Sequence, residues 1–204
     1  MTTRRYALLI PVKDGRSAKT RLGVGEDGQR ARLMAAFARD AISAARATDH
    51  VAVHVVGDPT TLAGLVSDLD VGVLPDEGEG DLNRALQRAA ARLGEVGLGT
   101  AVMLADLPCL RTADLDAAFA SATGRAFVAD ADGTGTTLLI TPVGTQLDPR
   151  FGAGSAAAHV ASGAVRIGSD LASLRRDVDT TTDLEAALVF GVGRHTARVA
   201  SSLA

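Results

Sequence analysis

The chain has 204 residues, 47% hydrophobic and 22% charged, which suits one globular domain and excludes a disordered or collagen-like chain. Its single cysteine, Cys109, excludes an internal disulfide and a cysteine-based zinc site. A net charge of −3 offers no general attraction to nucleic acid or acidic membranes, no run reaches the roughly 18 apolar residues of a membrane span, and the start lacks the look of a cleavable signal, so a cytoplasmic protein without such partners is expected.

Strands and helices alternate along the chain. Residues 6–12 form a short apolar run ending in Pro11 and charge, as in a strand buried on both faces. Residues 13–28 read as loop. From 29 to 47, Leu33, Phe37, Ala41 and Ala45 recur every four residues and mark one face of a helix. A strand at 50–56, a short helix at 60–67, a strand at 71–74 and a helix at 81–94 follow. Residues 100–105 are the next buried strand, ending at Asp106. The rest reads as a helix at 114–122, with Thr112 as its cap, strands at 126–129 and 137–141, a helix at 153–162, a short strand at 165–167 and a closing helix at 184–190. Alternating βα units predict a single three-layer α/β/α domain with a mostly parallel sheet, whose ligands sit beyond the carboxyl ends of the strands.

Charge is unevenly spread. The first fifty residues carry a net +5 and the remainder −8, a pattern that suits an anionic ligand held with a metal ion. Nineteen arginines contrast with two lysines, Lys13 and Lys19, both in the loop after the first strand. With Arg16 and Arg21 they place four cations within nine residues at a strand-to-helix junction, where backbone N–H groups favour anions, so the loop reads as a polyphosphate cradle. It is not a P-loop, because Ala18 precedes the lysine where glycine is required. Gly23-Val-Gly25-Glu-Asp-Gly28 matches G-x-G-x-x-G but starts too far from the strand, and Glu26 and Asp27 would repel pyrophosphate.

Asp106 stands at the tip of a central strand, where a carboxylate enters the crevice without being buried in the sheet. In Asp177-Val-Asp179 the two acids share one face if the segment is extended, while Thr180 and Asp183 suit the start of a helix. Asp106 with either of the pair would serve Mg²⁺, which needs only one or two carboxylates when nucleotide phosphates and waters complete its octahedron. Gly152-Ala-Gly154-Ser155 opening an Ala-rich helix would offer N–H groups and a hydroxyl to a second phosphate or carboxylate, with His159 on the same face.

Taken together, Pro11-Val-Lys13, Ala18-Lys19-Thr-Arg21-Leu22, Leu104-Ala-Asp106-Leu-Pro108, Gly133-Thr-Gly135-Thr, Phe151-Gly-Ala-Gly-Ser155 with His159, and Asp177-Val-Asp179-Thr resemble the guanylyltransferases of deazaflavin coenzyme F-420 biosynthesis, over residues 6–190. The resemblance implies a Rossmann-like nucleotidyltransferase fold of the molybdenum-cofactor type. It also implies transfer of GMP from GTP to the phosphate of phosphoenolpyruvate or 2-phospho-L-lactate, with Mg²⁺ as cofactor and pyrophosphate released. On this basis Lys13, Lys19 and Arg21 would contact the triphosphate, Asp106, Asp177 and Asp179 would bind the metal, and Thr137, Gly152 and Ser155 would receive the acid. Asn83 would hydrogen-bond guanine. Asp81 and Thr137 depart from the usual family pattern at the base and acceptor positions, and another nucleotidyltransferase, using CTP or a sugar phosphate, is the alternative, with a non-catalytic GTP-binding module behind it.

Overall fold

A computed structural model describes residues 5–12, 27–94 and 97–202. β1 (Tyr6–Pro11), β2 (Val51–Gly57), β3 (Gly72–Pro75), β4 (Gly99–Met103), β5 (Ala126–Ala129), β6 (Thr136–Thr141) and β7 (Val165–Arg166) form one sheet in the order β3-β2-β1-β4-β6-β5-β7. Every pairing is parallel except those of β6, which runs against both β4 and β5. The three-layer, mostly parallel arrangement expected from the alternating pattern is what the chain adopts.

Period-two burial builds the layers. In β1, Leu8 and Ile10 pack on one face with Ala38, Ala41 and Ile42 of α1 (Asp27–Arg46), Leu62 of α2 (Pro59–Val66) and Leu115 of α4 (Thr112–Ser121). Leu9, between them, faces the other side with Leu86 of α3 (Leu82–Leu93) and Ala156 of α5 (Ser155–Ala161). A third cluster joins Leu33 and Phe37 to Cys109, Val178 and Leu184 of α6 (Thr181–Phe190), so Cys109 is the packed thiol its apolar setting suggests. Thr180 caps α6 in a reciprocal capping box with Asp183. At α4 the cap position belongs to Arg111, without a side-chain bond, and the Thr112 hydroxyl donates to the Ala44 carbonyl instead. None of the described helices is long and apolar enough to cross a membrane.

One helix, α7 (Arg194–Ser201), has no counterpart in the sequence reading. Its start is held from far away in the chain, because the buried Asp40 carboxylate on α1 accepts the His195 N–H at 3.0 Å and the Thr196 N–H at 2.8 Å. A side chain on Gly193 would collide with that carboxylate. Asp40→Ala therefore leaves two helix-initiating amides without their charged acceptor and is expected to lower stability by about 1–3 kcal/mol. In urea melts the midpoint should fall at unchanged slope; an unshifted midpoint would show that α7 docks without this bond.

Candidate functional site

The sheet reverses direction of winding between β1 and β4, the crevice where open α/β sheets bind ligands. Asp106 stands there, half-buried, three residues beyond the end of β4. Its carbonyl accepts the Val178 N–H at 3.1 Å, which runs the 176–179 segment alongside the strand exit. Val178 points into the third core cluster, so the flanking Asp177 and Asp179 are the side chains left for the other side. Asp177 is the more enclosed of the pair. Its burial, reinforced by the charges of Asp106, Asp179 and Asp130, pushes its carboxyl up to about 7.

Asp177 thus feels the charges of three other carboxylates at the carboxyl edge of the sheet, those of Asp106, Asp179 and Asp130. They are hard oxygen donors whose mutual repulsion a divalent cation would relieve, and in this respect they fit such an ion. Among the described residues, however, no three His, Cys, Asp or Glu side chains are grouped closely enough to hold a metal ion alone. Asp106, Asp177 and Asp179 are therefore not a finished three-ligand cage, and substrate oxygens would have to complete the coordination.

Two contributors to this edge escaped the sequence reading. Asp130 directly follows β5 as Asp106 closes the apolar run that continues β4, and its carboxylate accepts the Thr134 and Gly135 N–H groups at 2.9 and 2.7 Å to close the turn into β6. A Cβ on Gly135 would lie 2.3 Å from Asp130 Oδ2, so that turn requires glycine. Arg175 binds four carbonyls, those of Ala129 (3.1 Å), Asp130 (2.8 Å), Ala131 (3.1 Å) and Ser169 (2.7 Å), and so fastens the β5 exit to the chain carrying Asp177. No local signal distinguishes it from the other eighteen arginines.

The glycine-rich segment leads into α5, whose Ala156 N–H donates to the Thr134 carbonyl of the β5–β6 turn at 3.1 Å. Gly152 (φ 134°) and Gly154 (φ 71°) hold left-handed backbone that side chains rarely adopt, and residues 152–154 are exposed. This delays the start of α5 to Ser155, two residues later than the composition suggests. Ser155 itself is buried, and its N–H donates to the Gly152 carbonyl at 3.1 Å.

Three of the expected ligands make hydrogen bonds within the protein. His159 has no exposed surface, and both ring nitrogens are taken, by Thr136 Oγ1 at 2.9 Å and by the Arg150 N–H at 3.0 Å. Asn83, expected at guanine, turns its amide to the Phe151 backbone in a two-point bond. Thr137 is fully enclosed in β6, its hydroxyl directed at the Val128 carbonyl of the neighbouring β5, 3.4 Å away. Lys13, Lys19 and Arg21 lie outside the described residues. β1, from which that segment follows, ends beside β4 and thus at the edge that carries Asp106.

A family model described as guanylyl transferase CofC like matches residues 6–204. The phosphoenolpyruvate guanylyltransferase of Streptomyces coelicolor is 46% identical over 206 residues, covering 98% of this chain and 97% of its own. Among solved structures, one described as a nucleotide-diphospho-sugar transferase from Desulfovibrio desulfuricans G20 superimposes with a TM-score of 0.72 at 18% identity, covering 98% of this chain and 97% of that one. Another, Rv0371c of Mycobacterium tuberculosis in complex with manganese, covers 92% of this chain and 100% of its own, with a TM-score of 0.50 at 21% identity. At such identities these two solved structures speak for the fold.

Proposed function

The chain belongs to the CofC-like guanylyl transferase family, and from that premise we propose that it transfers the GMP moiety of GTP to the phosphate of phosphoenolpyruvate and releases pyrophosphate. The observation that carries the reading is the joining of Asp106, just beyond β4, to the Asp177-Val-Asp179 segment through the Val178 N–H. The acidic edge would suit a divalent cation beside nucleotide phosphates, and the exposed 152–154 backbone would suit a second anion.

The chemistry requires little of the protein beyond placement. The acceptor phosphate, with a second pKa near ~6, is largely dianionic at neutral pH and attacks the α-phosphorus without a general base. Asp106, with Asp177 or Asp179, would hold a divalent cation, Mg²⁺ in our reading. When bound, that ion offsets charge on the phosphate oxygens. Lys13, Lys19 and Arg21 would neutralise the triphosphate and the departing pyrophosphate, while the 152–154 backbone and Ser155 would receive the acid.

Purified protein given GTP, Mg²⁺ and either phosphoenolpyruvate or 2-phospho-L-lactate should release pyrophosphate in proportion to the acid consumed, with phosphoenolpyruvate preferred. Release with CTP as fast as with GTP, or none with either acid, would refute the assignment. Gly152→Val tests the acceptor side. A Cβ there meets no protein atom, so the cost comes from the φ of 134° and from obstruction of the approaching anion. The KM for the acid should rise by about tenfold or more, with GTP binding by calorimetry unchanged. A shift confined to GTP would place the two substrates the other way round.

A further inference from the structure

Two side chains from different parts of the fold take hold of consecutive peptide groups at the entrance to the glycine loop. His159, from α5, accepts the Arg150 N–H at Nε2. A ring nitrogen that accepts carries no proton, so the proton resides on Nδ1, which donates to Thr136 Oγ1. The ring is fixed further by Phe127 and Phe151, whose centroids lie 5.6 and 5.3 Å away. Burial holds its pKa down to about 4, with Arg125 and Arg150 acting in the same sense and Asp148 against, so the ring is neutral and able to accept near pH 7.

From α3, Asn83 addresses the next residue as a neighbouring β-strand would. Its Oδ1 accepts the Phe151 N–H at 2.8 Å and its Nδ2 donates to the Phe151 carbonyl at 3.0 Å. Immediately beyond come Gly152 and Gly154, both in left-handed conformations. Glycine has the most backbone freedom to lose, and a loop containing two would sample many arrangements unless its entrance were held. The two clamps supply that restraint, and the Asn83 bond spans 68 residues of sequence.

We infer that Asn83 and His159 are positioning residues for the acceptor, setting the backbone that receives the acid while touching neither substrate. The inference rests on the placement of the acid at 152–155.

The test compares His159→Leu, His159→Gln, Asn83→Ala and Asn83→Asp in the full chain, with steady-state kinetics for both substrates and amide hydrogen exchange. His159→Leu and Asn83→Ala should raise the KM for phosphoenolpyruvate by about tenfold and leave the KM for GTP unchanged. Exchange should accelerate at the Arg150 amide in the first variant and at the Phe151 amide in the second. His159→Gln, which keeps an acceptor within reach of the Arg150 N–H, should recover much of the loss. Asn83→Asp should not, because it sets a carboxylate against the Phe151 carbonyl. If His159→Leu does not fold, the glutamine variant and the Asn83 pair decide the matter. Accelerated exchange with an unaltered KM for the acid would overturn the positioning role, as would an equal rise in both KM values. Inactivity of the wild-type protein with GTP and every phosphorylated three-carbon acid would overturn the functional reading as well, and is told apart because it needs no variant.

Discussion

Asp106→Asn is expected to leave the protein folded and to reduce turnover by on the order of 10²-fold or more, the scale seen when a principal electrostatic stabiliser is removed. The reasons are separable in the structure. What Asp106 gives the fold is its backbone carbonyl, which accepts the Val178 N–H, and asparagine keeps it. The half-buried side chain keeps its shape and loses its charge. Placed at the crevice between the winding directions of the sheet, the carboxylate would have its value in holding a cation against phosphates. Pyrophosphate release measured beside a thermal melt checks this: a folded variant with near wild-type turnover would remove Asp106 from the metal site.

Asp177→Asn should act in two opposite directions. In the folded protein without metal, burial and the neighbouring Asp106, Asp179 and Asp130 push the Asp177 carboxyl up to about 7 from its ordinary 3.8. Between those values the folded state binds more protons than the unfolded one, so ionising this group costs stability progressively as pH rises through that window, and the full cost is present above about 7. Asparagine carries no such charge. At pH 8 without metal the variant should melt several degrees higher than wild type, at roughly 2–4 °C per kcal/mol for a chain of this size, and the advantage should vanish below the unfolded value, where both side chains are neutral. With Mg²⁺ and GTP the ranking should narrow or reverse, since a ligand that binds only the folded state stabilises it and the variant binds it less. Turnover should fall on the order of 10²-fold. A variant less stable than wild type at pH 8 without metal, or equally favoured at low and high pH, would contradict this account of the acidic edge.

Much of the architecture was legible because its determinants are local. Six apolar residues ending in proline and charge are a buried strand wherever they occur, and Leu33, Phe37, Ala41 and Ala45 define a helical stripe without reference to what covers it. The same holds for Thr180 with Asp183, three residues apart, and for Asp177 and Asp179, whose shared direction follows from the pleat once Val178 is buried. Asp106 was visible for a like reason: a charge that ends the apolar run of β4 and the two residues after it has only the sheet edge to occupy.

What the tertiary structure alone decided was the pairing of polar groups across long stretches of chain. Arg194–Ser201 is mostly polar, and its helix depends on a carboxylate some 155 residues earlier. Asn83 and His159 have the chemistry of ligands, yet their hydrogen bonds go to Phe151 and Arg150, because the fold brings these peptide groups within reach before any substrate arrives. Arg175 is one arginine among nineteen until four carbonyls converge on it. Periodicity and capping are written over three to seven residues, so the sequence by itself determined most of the elements, the mostly parallel α/β class and the places of Asp106, Asp177 and Asp179 along the chain. The partner of a hydrogen-bonding side chain is settled by proximity in three dimensions, and there Asn83 and His159, both suited to binding a ligand, are engaged with the backbone entering the glycine loop.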